Sequence, residues 1–179
     1  KTSPYRFYQH FINVDDAQVG QFLRFFTFLS REEIEALETQ VKEAPQRREA
    51  QKVLAREVTA LVHGPEEAVR AERASQALFG TNITELEEAE LLDVLADAPS
   101  STQPRSSLAP GALLIDLLIE SRLATSRKTA REFIGGGGVY INNIKQTDVD
   151  RAVGEGDLLH DRYVVLRRGK KNHHLVSFG

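Results

Sequence analysis

Two clusters of basic residues occupy the last third of the sequence. The first opens a predicted helix, and the second surrounds a predicted turn between two strands. The helix cluster is Ser126, Arg127, Lys128 and Arg131, and the hairpin cluster is Arg167, Arg168, Lys170 and Lys171. Cations beside the free N–H groups of a helix start attract anions. Two such clusters in one small domain predict contact with the phosphates of a nucleic acid.

No pattern in the sequence suggests a catalytic or metal centre. The chain has no Cys, which excludes thiolate nucleophiles and cysteine-ligated zinc. His173 and His174 are adjacent in a predicted strand, so their side chains point to opposite faces. The glycine run 135–138 follows a helix and precedes a strand, the reverse of a dinucleotide-binding motif. We expect no catalytic residue, metal or cofactor in these residues.

Charge is distributed unevenly along the 179 residues. The net charge is −3, but residues 1–111 hold 12 Lys and Arg against 18 Asp and Glu, whereas residues 112–179 hold 11 against 8. The two parts therefore suit different partners. No apolar run is long enough to cross a membrane. Together with the absence of Cys and of a visible signal peptide, this predicts a cytoplasmic protein.

The first half of the sequence predicts a bundle of α-helices. Pro4 follows the capping residue Ser3, and Ser30 with Glu33 forms a capping box. Further helices are expected over residues 46–63, from Pro65, and at about 87–96. Short joins between helices of this length are typical of a bundle, which we place at residues 1–97.

Two features of the bundle have more than one interpretation. Phe22, Phe25, Phe26 and Leu29 recur at helical spacing, which favours a core face over an exposed platform for stacking bases. Asp15 and Asp16 precede the same helix, where capping is favoured over reading a base edge.

Residues 98–111 contain three Pro and four Ser, which predicts a flexible linker. Beyond it, helices are expected at 112–120 and 127–134. Strands are expected at 139–142, 158–160, 163–168 and 174–178, the last two forming a hairpin. The predicted fold class is therefore an α bundle followed by a small α+β domain at residues 112–179.

The sequence from Ser126 to Asn143 resembles the S-four-type RNA-binding domain, whose signature is S-R-x-x-A-x-x-x-I-x-x-G-x-V-x-V-N-G. It keeps the signature residues Ser126, Arg127, Ala130, Ile134, Val139 and Asn142. Asn143 stands where Gly is usual, and Asn tolerates a left-handed turn. The resemblance implies an S-four-like αL RNA-binding fold for the second domain.

Segments in both domains resemble the C-terminal half of bacterial-type tyrosyl-tRNA synthetases. They are residues 1–16, 25–30, 32–38, 61–64 and 166–172. The resemblance implies an anticodon-binding domain at 1–97 and a tRNA-binding domain at 112–179, with the catalytic domain ahead of Lys1. The parent enzyme would be a ligase that uses ATP and magnesium to join tyrosine to its tRNA through a tyrosyl-adenylate, and this chain alone would be inactive.

The same resemblance implies partners and residue roles. The partners would be tyrosine tRNA, the N-terminal catalytic domain of the same chain, and a second copy in a homodimer. The helix and hairpin clusters would hold the long variable arm and the anticodon stem. The helical domain would meet the anticodon, for which the weak candidates are Asn13, Asp15 and Asp16. The enzyme would act in a bacterial cytoplasm or in an organelle. Two alternatives are a pseudouridine synthase or ribosome-associated protein with an S-four-type module, and a DNA-binding helix-turn-helix protein. The helical first domain disfavours the former, and its acidic charge the latter.

Overall fold

A computed structural model describes residues 2–79 and 82–179. Two compact units divide the chain, Lys1–Gln76 and Ala77–Gly179. We call them the helical unit and the sheet unit. The helices and strands confirm the predicted fold class of an α-helical region followed by a small sheet domain.

Four helices and the greater part of a fifth build the described part of the helical unit. They are α1 (Pro4–Ile12), α2 (Asp16–Phe26), α3 (Arg31–Glu43), α4 (Glu49–His63) and α5 (Pro65–Phe79), which runs on into the sheet unit. The predicted caps are confirmed: the Ser3 hydroxyl accepts a hydrogen bond from the Arg6 N–H at 3.3 Å, and Ser30 and Glu33 form a reciprocal capping box. Leu23 and Leu54 are fully buried at the centre of this unit.

The described part of the sheet unit contains a five-stranded sheet, a separate pair of short strands and three helices. The helices are α6 (Glu88–Val94), α7 (Leu114–Glu120) and α8 (Arg127–Gly135); the strands are β1 (Ser100–Gln103), β2 (Ala112–Leu113), β3 (Val139–Ile141), β4 (Ile144–Gln146), β5 (Ala152–Val153), β6 (Tyr163–Arg168) and β7 (Asn172–Phe178). The sheet order is β1-β7-β6-β3-β4, and β2 pairs with β5 separately. Helices α7 and α8 cover one face, where Leu118, Ile134 and Leu166 are fully buried.

The predicted linker at 98–111 is not a linker in the structure. Strand β1 lies within it and pairs in parallel with β7, and the Arg105 N–H donates to the Gly179 carbonyl at 2.9 Å. Leu108 joins the core of the sheet unit. The segment is ordered because it completes an edge of the sheet, which is a long-range pairing that its Pro and Ser content does not reveal.

The predicted domain limits also differ from the division of the structure. Residues 77–97 belong to the sheet unit rather than to the bundle. The segment before α6 contacts the rest of the sheet unit, because the His160 ring Nε2 donates a hydrogen bond to the Leu86 carbonyl at 2.9 Å. This contact explains why the segment belongs to the sheet unit. The strand predicted at 158–160 is absent, because His160 and Asp161 have positive φ angles that interrupt extended backbone.

The phenylalanine face of α2 is only partly a core face. Phe22 packs against the core of the helical unit and makes an edge contact with Phe26, their ring centroids 5.6 Å apart. Phe25 is 70% exposed, and Phe28, just beyond the helix, is 92% exposed. The predicted burial of this face is therefore wrong for Phe25 and for Phe26, which is 45% exposed, because no described element of the helical unit covers their side of α2.

Candidate nucleic-acid interface

Helix α8 presents the helix cluster on its outer side. Ser126 caps the helix, accepting a hydrogen bond from the Thr129 N–H at 3.1 Å. Ala130 and Ile134 are fully buried, which fixes the inner face. Arg127, Lys128 and Arg131 are therefore exposed, as the helical period requires.

The three cations of α8 are not equivalent. Arg127 pairs with Asp116 of α7, Nη1 to Oδ1 at 2.9 Å. Both side chains are about half exposed, so the pair contributes little stability and can exchange for a phosphate. Within residues 2–79 and 82–179, neither Lys128 nor Arg131 has a salt-bridge partner, so both are available to an anion.

The hairpin cluster does not form one patch. Arg167 lies opposite Tyr140 and His173 in the sheet, whereas Arg168 lies opposite Val139 and Asn172. Neighbouring residues of a strand point to opposite faces, so the two arginines diverge.

Arg168 is directed to the side of the sheet that α8 covers. Its Nη1 donates to the Leu123 carbonyl at 2.7 Å, and its guanidinium lies 5.0 Å from the centre of the Phe133 ring. Leu123 belongs to the loop that leads into α8, and Phe133 to α8 itself. Arg168 therefore positions the helix cluster and is half-buried by these contacts.

Arg167 takes part in a polar network on the opposite face. Its guanidinium stacks 3.7 Å from the centre of the Tyr140 ring and donates to Asn143 Oδ1 at 3.2 Å. Asn143 Nδ2 in turn donates to the carbonyls of Ala77 and Leu78, at 3.1 and 3.0 Å. Asn143 has a φ of 64°, so it adopts the left-handed turn of the signature glycine while its side chain anchors Arg167.

Lys170 and Lys171 are exposed at the tip of the β6–β7 hairpin. The Gly169 N–H donates to the Gly138 carbonyl at 2.8 Å, so the tip lies against the glycine run that follows α8. A further cation, Lys145 of β4, was not among the predicted site residues. Its side chain crosses Gly137, where an added Cβ would lie only 2.5 Å from Lys145 Cε. A strand beginning directly after the Asn142-Asn143 turn would have indicated it.

The two buried histidines do not add charge to this surface. Burial lowers the pKa of His173 and of His174 below the ordinary value of 6.5, which favours the neutral ring. Within the described ranges, no group of three His, Cys, Asp or Glu side chains could hold a metal ion. None of the described helices is both long and apolar enough to cross a membrane.

The structure brings together two of the three anticodon candidates in the helical unit. Asn13 and Asp15 line a polar groove of about 450 Å³ between α1 and α2, beside His10 and Gln18. Asp15 occupies the N-cap position of α2 but its carboxylate makes no capping hydrogen bond. Asp16 lies apart from the groove lining and accepts a hydrogen bond from Gln51 Nε2 at 2.6 Å.

Both units match family models of the same enzymes. Residues 1–80 match a model described as tRNA synthetases class I (W and Y), and residues 90–176 match one described as Tyrosine--tRNA ligase SYY-like C-terminal domain. The chain belongs to the tyrosyl-tRNA synthetase family. The S-four-type RNA-binding module of a pseudouridine synthase is correspondingly disfavoured, because tyrosyl-tRNA synthetase similarity covers both units.

Relatives in this synthetase family are similar along nearly the whole chain. The Tyrosine--tRNA ligase of Roseiflexus castenholzii is 49% identical over 98% of this chain and 42% of its own length. That of Bacillus velezensis is 48% identical over 99% of this chain and 42% of its own length. The chain thus spans about two fifths of the length of these curated relatives.

Two solved structures of tyrosyl-tRNA synthetases are also similar in sequence. A solution structure of a tyrosyl-tRNA synthetase C-terminal domain is 29% identical, with a TM-score of 0.44, over 53% of this chain and 92% of its own. A C-terminally truncated mitochondrial enzyme from Aspergillus nidulans is 36% identical, with a TM-score of 0.42, over 43% of this chain and 23% of its own. The family assignment rests on the sequence matches.

Proposed function

We propose that this chain is the tRNA-binding part of a tyrosine-tRNA ligase. The full-length enzyme would attach tyrosine to its tRNA through a tyrosyl-adenylate, with ATP and magnesium bound in a catalytic domain that precedes these residues. It would act as a homodimer in the cytoplasm. The observation that carries the proposal is the set of exposed cations on the sheet unit of a synthetase chain. Those available to phosphates are Lys128, Arg131, Lys170 and Lys171.

The sheet unit would hold RNA through its phosphates. Lysine ammonium groups and an arginine on a rigid helix and hairpin can neutralise phosphates without reading bases, which fixes the register of the RNA. An RNA helix such as the long variable arm is recognised mainly by shape. Lys145, whose side chain crosses Gly137, next to the Gly138 carbonyl that accepts from the hairpin tip, would extend the same contact.

The remaining predicted site residues would have supporting roles. Ser126 fixes the start of α8, and Arg168 joins that start to β6. Arg167 holds the Asn143 turn. Arg127 would exchange Asp116 for a phosphate on binding, because an exposed ion pair costs little to separate.

The helical unit would meet the anticodon. Asn13 and Asp15 present an amide and a carboxylate in one groove, and such groups can hydrogen-bond the edges of unstacked bases. Asp16, which accepts a hydrogen bond from Gln51, would support this groove rather than contact a base.

A titration tests the proposal. The chain is titrated with tyrosine tRNA, and with the same tRNA in which the long variable arm is shortened to a tight loop. We expect the shortened tRNA to bind about tenfold more weakly, which corresponds to about 1.4 kcal/mol. Equal affinity for both RNAs would contradict a role for the sheet unit in holding the arm. The chain alone should also show no tyrosine-dependent ATP–pyrophosphate exchange.

A further inference from the structure

The turn between α1 and α2 carries Asn13 and Asp15, and a side chain at the start of α4 holds it in place. Arg48 Nη2 donates to the Ile12 carbonyl at 2.8 Å and to the Val14 carbonyl at 3.1 Å. The Ile12 carbonyl belongs to the last turn of α1, where carbonyls lack partners within the helix and a cation meets the negative end of the helix dipole. Arg48 therefore fixes the point at which α1 ends and the turn begins.

Gln51 of α4 holds the other end of the same turn. Its Nε2 donates to the Val14 carbonyl at 3.3 Å and to Asp16 Oδ1 at 2.6 Å, and Asp16 is the first residue of α2. Neither Gln51 nor Arg48 belongs to the lining of the polar groove. The two side chains can therefore affect a ligand in that groove only through the turn.

Alternate residues along the turn have different surroundings. The carbonyls of Ile12 and Val14 and the carboxylate of Asp16 accept hydrogen bonds from the start of α4. Asn13 and Asp15, which lie between them, are exposed and line the groove. Because the Asp15 carboxylate makes no capping hydrogen bond, its direction depends on the backbone of the turn.

Arg48 and Gln51 each carry a local cost in stability. Arg48 has a φ of 52° and a ψ of 34°, the left-handed region that favours Gly. Gln51 is fully buried, and its Oε1 has no hydrogen-bond partner within residues 2–79 and 82–179, which is unfavourable for a carbonyl oxygen. Strained backbone of this kind is concentrated at functional sites. Both costs fall on the two side chains that hold one turn.

We propose that Arg48 and Gln51 are positioning residues for anticodon recognition, which hold the turn so that Asn13 and Asp15 meet the edge of an anticodon base together. The proposal rests on the proposed contact between the helical unit and the anticodon. Hydrogen bonds to a base edge tolerate only a few tenths of an ångström in distance, so a displaced turn loses them. A turn that is already ordered also avoids an entropic cost on binding.

The test measures a ratio of two affinities. The chain is titrated with tyrosine tRNA and with the same tRNA in which the anticodon bases are replaced. The variants are Arg48→Gly, which suits the left-handed backbone, and Gln51→Leu, which removes the donor and the unpaired oxygen together. Arg47→Gly is the matched control, because Arg47 is exposed, adjacent in sequence and of the same charge.

The unsubstituted chain should bind the native anticodon about tenfold more tightly than the replaced one. Arg48→Gly and Gln51→Leu should reduce this ratio to about twofold, whereas Arg47→Gly should leave it unchanged. Arg48→Lys keeps a donor for the two carbonyls and should give an intermediate ratio. Hydrogen exchange at residues 13–16 should become faster in Arg48→Gly and Gln51→Leu, while residues 54–63 keep their protection.

The ratio separates positioning from stability, because partial unfolding lowers both affinities by the same factor. A full tenfold ratio in Arg48→Gly and Gln51→Leu would overturn the proposal, and so would an equal loss of the ratio in Arg47→Gly. Asp15→Ala distinguishes this failure from that of the proposed function. If Asp15→Ala alone loses the ratio, the anticodon contact stands and the positioning role fails. If the unsubstituted chain binds both tRNAs equally, the anticodon contact itself is contradicted, and the positioning role with it.

Discussion

The clearest test of the proposed interface concerns Arg168, whose side chain makes its contacts within the sheet unit. Arg168→Ala removes a charged hydrogen bond to the Leu123 carbonyl and a contact with the Phe133 ring. A hydrogen bond of this kind contributes about 1.5–3 kcal/mol, and an exposed cation–π contact about 0.5–1 kcal/mol. Because Arg168 is half-buried rather than fully buried, we expect a loss of about 2 kcal/mol in the free energy of unfolding of the sheet unit.

Urea unfolding followed by circular dichroism measures this loss, and a thermal scan should show a decrease of roughly 10 °C in the Tm of the sheet unit. The affinity for tRNA should fall as well, because the start of α8 loses its support. Arg168→Lys is the informative control, since it keeps the charge but loses the planar guanidinium. If Arg168 acts through position, the lysine variant remains destabilised and binds weakly.

The reasoning would be refuted by an Arg168→Ala variant of unchanged stability whose tRNA affinity falls by about 1 kcal/mol and whose salt slope falls by about 1. That result, with full rescue by Arg168→Lys, would make Arg168 a simple phosphate contact.

Three further predictions address single features of the sheet unit. Lys171→Ala should weaken tRNA binding by about 1 kcal/mol and reduce the salt slope by about 1 without changing the Tm; an unchanged slope in a salt titration would assign Lys171 to a solvated surface. Asn143→Gly restores the usual signature residue, yet urea unfolding should show a loss of about 1–3 kcal/mol in the stability of the sheet unit. The reason is that the carbonyls of Ala77 and Leu78 and the Arg167 guanidinium lose their hydrogen-bond partner. Equal or higher stability would contradict an anchoring role for the Asn143 side chain. The free energy of unfolding should also decrease as the pH falls below 6.5. Burial lowers the pKa of His174 in the folded state, so the unfolded state binds a proton that the folded state does not. His174→Gln should reduce this pH dependence, and an identical pH profile in urea unfolding would exclude His174 as its cause.

Local signals in the sequence predicted the features that local physics determines. The Ser30 and Glu33 capping box and the β6–β7 hairpin depend on residues that are close in sequence, and both are present. The divergence of Arg167 and Arg168 also follows from strand alternation, once the strand is assigned. Arg167 and Arg168 were predicted to form one cluster because they are adjacent in sequence, whereas adjacent residues of a strand lie on opposite faces of the sheet.

The features that the sequence did not reveal depend on distant partners. Strand β1 exists because β7, more than seventy residues later, offers it a free edge. The exposure of Phe25 depends on which elements surround α2, and helical spacing identifies an apolar face without identifying what covers it. The network around Asn143 likewise depends on carbonyls of Ala77 and Leu78, far from the signature motif.

The parallel pairing of β1 with β7 bears on how the sheet unit can be isolated or transplanted. A fragment cut at residue 112, where the motif-based domain would begin, loses β1 and also the Arg105 N–H bond to the Gly179 carbonyl. The outer backbone groups of β7 would then form an open sheet edge, which is a template for association with other chains. Boundaries chosen for domain swaps or for structural work should therefore lie ahead of Ala77, the first residue of the sheet unit. The segment rich in Pro and Ser belongs inside these boundaries, because it contains β1.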